Sequence, residues 1–347
     1  MKSYKVGVIG TGMGSTVLEV NKFSDIRLEV IGICSKTIER AESYKSLFGL
    51  KYAFNDYRKL IEVDEIDIIA VFSPDHLHAE HCLAALNEGK HIICTKPLVN
   101  SLGDAKEIVR LVKEKDLKFL TGQTMRYDPQ FSAIKKMFDD GDLGEPIIVE
   151  AHYVHDMRPV YKMTPWRLEE PQDLMYGGVC HPVDVLRWFM GDVEEVFAYG
   201  KRGGLTPEYS LTGNFILNLK FKNGVIGRIL GIYDIVHPPM PMMGVSIFGS
   251  KGSAIGDFTD KSGGKVKVVL DKFDYKSESE TKYPPEIEGA YGHGETVLRY
   301  LKHFQECLDR DEKPDPDAEE GAKSIAVCSA AWESVKTGKP VKVFNEF

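Results

Sequence analysis

No apolar run in this 347-residue chain reaches the roughly 18 residues that a membrane-spanning helix needs, so no membrane span is expected. A basic run is missing too. The 44 lysines and arginines face 52 acidic residues for a net charge of −8, which argues against a nucleic-acid partner held by its phosphates. Cysteine is sparse: Cys34, Cys82, Cys94, Cys180, Cys307 and Cys328 are scattered and form no C-x-x-C pair. That spacing is too open for a zinc site, so no metal is expected, and the set is too thin for the disulfide framework of a secreted chain. Met1–Val8 runs straight into a strand-like pattern, without the apolar block and cleavage site of a signal peptide. Together these absences lead us to expect a cytoplasmic protein with inert thiols. Neither internal repeats nor low-complexity segments occur.

What remains is an ordinary soluble composition, 43% hydrophobic and 28% charged, with enough length for two domains. The first 120 residues alternate compact apolar runs (Tyr4–Ile9, Leu28–Cys34, Ile66–Phe72, His91–Cys94, Phe119–Thr121) with helical stretches at Ser15–Lys22, Thr37–Phe48, His76–Asn87 and Ser101–Lys115. Continuous rather than alternating apolar runs suit strands buried on both faces of a parallel sheet. The rhythm changes after Gly122. A helix at Pro129–Asp140, a long strand at Ile147–His155 and a helix at Pro182–Met190 come first. Consecutive strands then follow at Val193–Gly200, Leu211–Phe221, Val225–Tyr233, Val245–Gly249 and Ser253–Phe258, with a hairpin signal at Asn223-Gly224. Helices at Glu295–Asp309 and Asp317–Lys336 close the chain. The expected fold is α/β plus α+β. A Rossmann domain at 1–122 carries a doubly wound parallel sheet, and 123–347 forms a substrate-binding and oligomerisation domain around a large, mostly antiparallel, open-faced sheet. The last helix is free to pack back on the Rossmann domain.

The first strand runs into Gly10-Thr11-Gly12-Met13-Gly14-Ser15 and then a helix. A dinucleotide needs a tight first glycine, a second that lets backbone approach the pyrophosphate, and a small third residue where helix meets strand. Gly10 and Gly12 fill the first two places and Ser15 the third, so Gly10, Thr11, Gly12, Met13 and Gly14 are expected to bind a dinucleotide at the helix N-terminus. The second strand ends at Cys34-Ser35-Lys36-Thr37, with Arg40 a turn later. NAD-binding chains usually offer a carboxylate there for the ribose hydroxyls. Here Ser35, Lys36 and Arg40 would instead welcome a 2′-phosphate, and NADP is favoured over NAD.

Ligands of open α/β sheets bind beyond the carboxyl ends of the strands. Two loops stand there: Ser73-Pro74-Asp75-His76-Leu77-His78 and Thr95-Lys96-Pro97. Ser73, Pro74, His78 and Pro97 are assigned to cofactor binding. Lys96, just past Ile92-Ile93-Cys94, would be partly desolvated, which disfavours its charge and readies it to polarise or protonate a substrate oxygen while it also borders the cofactor. A second cluster is Gly177-Gly178-Val179-Cys180-His181-Pro182-Val183-Asp184. Pro182 reads as the first residue of a helix, with His181 as N-cap and Asp184 at the third position. Positive potential at a helix N-terminus would keep the His181 imidazole neutral and able to accept a proton, with Asp184 orienting the ring or capping the helix.

These motifs, with Arg126-Tyr127-Asp128-Pro129, Pro165-Trp166-Arg167, Ala330-Ala331-x-x-Ser334 and Gly338-Lys339-Pro340-Val341, resemble the glucose–fructose oxidoreductase, inositol dehydrogenase and MocA family across nearly the whole chain. The resemblance implies NAD(P)-dependent oxidation or reduction of a sugar, inositol or related polyol, with Lys96 and His181 assisting proton transfer. It adds Arg126 to the cofactor-binding residues and implies a homodimer or homotetramer through the C-terminal sheet. Two residues depart from the pattern: Thr95 replaces the glutamate before the lysine, and Gly177 stands where an aspartate often precedes the histidine. Tyr153, Asp156, Trp166 and Arg167 are expected to form the substrate wall, although aromatic and polar residues of this kind equally suit an interface or a core. The Pro- and Met-rich loop 237–243 suits a subunit contact. Two other readings stand beside the dehydrogenase: a redox-assisted lyase or glycosidase with tightly held cofactor, and a non-catalytic dinucleotide-binding sensor.

Overall fold

The computed structural model describes residues 3–12, 15–23, 25–258, 266–271, 278–281 and 293–347. The chain divides into two units. One comprises Met1–Thr124, Ile287–Ala322 and Phe347, and the other Met125–Glu286 and Lys323–Glu346.

The first unit is the expected doubly wound sheet. Strands β1 (Tyr4–Ile9), β2 (Leu28–Cys34), β3 (Tyr52–Phe54), β4 (Ile68–Val71), β5 (His91–Thr95) and β6 (Phe119–Gly122) pair in parallel in the order β3-β2-β1-β4-β5-β6. Helices α1 (Ser15–Leu18), α2 (Ile38–Phe48), α3 (Tyr57–Ile61), α4 (His78–Asn87) and α5 (Leu102–Lys115) connect them. The four residues of β4 and the core of β5 are entirely buried, as apolar runs covered on both faces must be. Side-chain oxygens of Thr37, Asp56 and Ser101 cap α2, α3 and α5 by accepting from backbone N–H groups of the first turn. The edge strand β3 and the short α3 carry no apolar run and leave no signal in the pattern. The segment expected as one helix at 15–22 is α1 followed by a 3₁₀ turn over Glu19–Lys22. The helix His293–Arg310 also belongs to this unit: Arg27 pairs with Asp309, and its backbone N–H donates to Gln305. The chain beyond it reaches β6, where Thr121 donates its N–H to Pro316 O at 2.9 Å and its hydroxyl to Asp317 O at 2.8 Å. The helix His293–Arg310, the penultimate one, thus belongs to the first unit, and most of the last helix, from Lys323 on, belongs to the second.

The second unit holds α6 (Pro129–Asp139), β7 (Pro146–Val154), α7 (Arg158–Met163), α8 (Trp166–Glu169), α9 (Cys180–Met190) and strands β8 (Val193–Lys201), β9 (Asn214–Phe221), β10 (Ile226–Ile232), β11 (Met243–Gly249), β12 (Gly252–Phe258), β13 (Val266–Leu270), β14 (Glu278–Thr281) and β15 (Val341–Lys342). Among the described residues its sheet has nine strands in the order β14-β13-β12-β11-β7-β10-β9-β8-β15, antiparallel except for β10 beside β7. The Asn223-Gly224 hairpin joins β9 and β10, with Gly224 at φ 87°. One face packs on α6, α9 and the helix Ala318–Thr337, burying Val149, Leu217, Ile229, Ile247 and Val327. The other face is open, so β9 alternates buried and exposed residues along its length. All six cysteines are buried thiols, and among the described residues no helix is long and apolar enough to cross a membrane.

Candidate active site

β1 and β4 are neighbours at which the strand order reverses, and the glycine turn lies there. Gly10 sits at φ 104°, and a Cβ on it would stand 2.4 Å from the carbonyl oxygen of Phe72 and 2.7 Å from the nitrogen of Ser73. Only glycine satisfies both the backbone angle and that close approach. At Gly12, by contrast, a Cβ would meet nothing within 4 Å. The protein does not need that glycine for its own packing, as expected where a ligand's phosphates are to approach the backbone. Thr11 is buried, its hydroxyl 3.3 Å from that of Ser35, and its carbonyl accepts from Tyr44 at 3.2 Å. These contacts fasten the turn to the end of β2. Lys36 and Arg40 are exposed there with no ion-pair partner among the described residues, and Arg40 leans over the Tyr44 ring. Met13 and Gly14 lie outside the described residues. The Gly10–Gly12 turn at the end of β1 could thus hold a dinucleotide.

Lys96 is half-buried at the carboxyl end of β5 and precedes Pro97 through a cis peptide bond. Thr95 pairs with Gly122 on β6, and a Cβ at Gly122 would stand 2.9 Å from the Lys96 nitrogen, so the lysine leaves the sheet against a bare backbone. Ser73 and Pro74 are half-buried at the end of β4. His78, expected to touch cofactor, faces inward instead. It is 1% exposed, and both ring nitrogens lie against backbone carbonyls.

The second unit corrects the reading of the His181 helix. A π-helical turn over Met175–Val179 runs directly into α9, whose first residue is Cys180. Pro182 is therefore the third residue of α9, His181 is not an N-cap, and Asp184 lies beyond the first turn of α9. Proline's missing N–H is harmless anywhere in the first turn, so it marks a helix start only to within a few residues. The paired glycines allow the π turn to pack: a Cβ at Gly178 would stand 2.4 Å from the fully buried Tyr233 ring. Asp184 has a different task from the one expected. It is fully buried and receives Arg126 Nη2 at 2.7 Å and Nε at 2.9 Å, while the Ser324 hydroxyl lies 3.4 Å away. Arg126, itself 6% exposed, spends this fork on Asp184 rather than presenting it to a cofactor.

His181 is 7% exposed, and its ring meets Tyr153 edge-on with centroids 6.0 Å apart. Tyr153 in turn packs on His155 and Tyr233. The structure thus brings the expected substrate residue Tyr153 to the expected base. Asp156 is 1% exposed and bound by Arg158 and by the His237 N–H. Arg158 holds this carboxyl well below the usual carboxylate range, which makes Asp156 a loop anchor. Trp166 and Arg167 lie on α8, with the guanidinium 4.4 Å from the indole centroid.

Residues 4–123 match the model of an oxidoreductase family's NAD-binding Rossmann fold, and residues 135–343 match the same family's C-terminal alpha/beta domain. The chain belongs to the glucose–fructose oxidoreductase, inositol dehydrogenase and MocA family. It is similar to a myo-inositol 2-dehydrogenase of Thermotoga maritima (27% identity, 98% of each chain) and a 1,5-anhydro-D-fructose reductase of Ensifer adhaerens (26% identity, 91% of each). Its fold matches that of a levoglucosan dehydrogenase solved with NADH, with a TM-score of 0.89 at 21% identity, over 99% of this chain and all of the other. It is an oxidoreductase with an NAD-binding Rossmann domain.

Within the family pattern, the two absent carboxylates are answered differently. At position 95 the half-buried Thr95 itself stands in the glutamate's place. At Gly177 the space is occupied: a Cβ there would stand 2.7 Å from the Gln172 amide, which accepts from Arg167. A neutral amide therefore fills the volume one turn before His181. Sequence reasoning missed Gln172, because it lies outside the motif and only the fold brings it back.

Proposed function

We propose that this oxidoreductase transfers a hydride between NAD(P) and a CH–OH group of a sugar, inositol or related polyol. One observation carries the reading: the turn built around Gly10 and the half-buried Lys96 stand at the carboxyl ends of β1 and β5 in one sheet. That is where an open α/β sheet places its ligand. The inositol dehydrogenase and the anhydrofructose reductase among its relatives support a polyhydroxylated substrate.

The bound nicotinamide supplies the ring that takes or gives the hydride. Gly10, Thr11 and Gly12 hold the pyrophosphate, Ser73, Pro74 and Pro97 border the cofactor, and Ser35, Lys36 and Arg40 favour NADP over NAD. In the oxidative direction His181 takes the hydroxyl proton as general base, and Lys96 steadies the oxygen as it becomes a carbonyl. In reduction the proton returns along the same path. Tyr153, Trp166 and Arg167 contribute to the substrate wall, with Gln172 supporting Arg167. The open sheet face takes a second copy of the chain, giving a homodimer or homotetramer. The cytoplasm is the compartment that fits six buried thiols.

Lys96→Ala should abolish turnover, a loss on the order of 100-fold or more, while NAD(P)H binding measured by fluorescence survives. Substantial retained activity would refute the role. Product formed with no net change in NAD(P)H would point to redox-assisted elimination, and tight binding without turnover across a broad sugar panel to a sensor. Steady-state constants for both cofactors decide the rest: a clear preference for NAD would overturn the assignment of Lys36 and Arg40.

A further inference from the structure

One side chain joins the loops that follow β4 and β5. His78, at the start of α4, places Nδ1 2.7 Å from the carbonyl oxygen of Pro97 and Nε2 2.9 Å from that of Ser73. Both partners are acceptors only, so each contact calls for a ring N–H. Ser73 lies two residues past β4, in the backbone against which Gly10 packs, and Pro97 follows Lys96 directly. Three residues on, His81 is on the same side of α4, with Nδ1 2.8 Å from the Ser73 hydroxyl and its ring against Tyr57. Two histidines thus grip Ser73, and one of them also grips the residue after the lysine.

A tie whose purpose was only cohesion would not need this group. An apolar side chain would fill the space without the cost of burying an imidazole. Burial drives His78 toward its neutral form, which has one N–H for two carbonyls. The polar ring stands, at that cost, where the two loops that border the nucleotide turn and the lysine meet.

We propose that His78 is a positioning residue, which sets the Pro97 carbonyl against the Ser73 carbonyl and thereby fixes the direction in which Lys96 leaves the sheet. It acts through Lys96 and Ser73 rather than on a ligand, and it rests on the reading that Lys96 serves the reaction. The geometry also accounts for the sequence interval: a histidine five residues past Ser73 reaches back over the 3₁₀ turn Asp75–Leu77 to the strand end.

His78→Phe keeps a ring and removes the ring N–H, while His78→Gln keeps an N–H donor. The first should lower kcat on the order of 100-fold, the loss expected for about 1 Å of misplacement. The dissociation constant for NAD(P)H should stay within about threefold, and His78→Gln should recover about tenfold of the lost rate. In the wild-type enzyme, nitrogen-15 NMR with labelled histidine should find a slowly exchanging ring N–H that disappears in His78→Phe. A His78→Phe enzyme with undiminished kcat, or His78→Gln as impaired as His78→Phe with both melting early, would overturn the inference, as would a rapidly exchanging ring proton. Lys96→Ala assayed alongside separates the two claims. If it is inactive while His78→Phe is not, only the positioning role falls. If Lys96→Ala stays active, the Lys96 reading fails and the positioning role falls with it.

Discussion

Two glycines in one turn serve opposite masters, and a methyl group tells them apart. Gly10 is required by the protein: alanine there meets a positive φ and a backbone carbonyl 2.4 Å away. Gly10→Ala should cost about 1–3 kcal/mol in stability and disturb the strand end as well as the cofactor. Gly12→Ala meets nothing within 4 Å among the described residues. Its stability in urea should stay within about 0.5 kcal/mol of wild type while NAD(P)H binding weakens about tenfold or more. Equal destabilisation of the two variants, or unimpaired binding by Gly12→Ala, would show that the turn is only structural. At this scale the sequence was informative, because glycine type and spacing express a backbone requirement directly. It was silent on direction. His78 and Asp156 carry the residue types of a site yet face inward, and no pattern along the chain reports which way a side chain turns.

At the scale of elements, α9 shows how tertiary packing moves a boundary. Pro182 suggested a helix beginning at 182, but the π turn extends the helical stretch back to Met175 because Gly177 and Gly178 admit Gln172 and Tyr233 against it. The partner of Asp184 was equally hidden. Arg126 stands 58 residues away in sequence, and their fork is almost completely dehydrated, with side chains 4% and 1% exposed. Breaking one side of such a pair strands a charge. Asp184→Asn should therefore cost about 3–5 kcal/mol by chemical denaturation, and adding Arg126→Met should restore most of that. Additive losses in the double variant would mean that the two residues act separately.

The whole molecule divides between two periodicities. Continuous apolar runs built the first sheet, and alternation built the second with one face left open. On that face Ile226, Ile148 and Phe248 are direct cross-strand neighbours, 53%, 39% and 37% exposed, beside a depression of about 310 Å³. In the proposed assembly this apolar row would lie in the interface between copies. Sedimentation should find a dimer or tetramer at micromolar concentration, and Ile226→Glu should shift it toward monomer. A wild-type monomer would overturn the assembly.

The glycine turn after β1, the parallel sheet and the placing of Lys96 beyond its strand were determined by sequence alone, because each depends on neighbours within a few residues: a run of apolar side chains, a glycine at positive φ, a strand end. The fold decided what distant segments do to one another. It brought the helix His293–Arg310 back to the first unit, gave Asp184 to Arg126, put Gln172 into the space beside Gly177 and turned His78 onto two carbonyls. Those outcomes depend on burial and on the pairing of buried polar groups, and neither quantity exists until the chain has closed on itself.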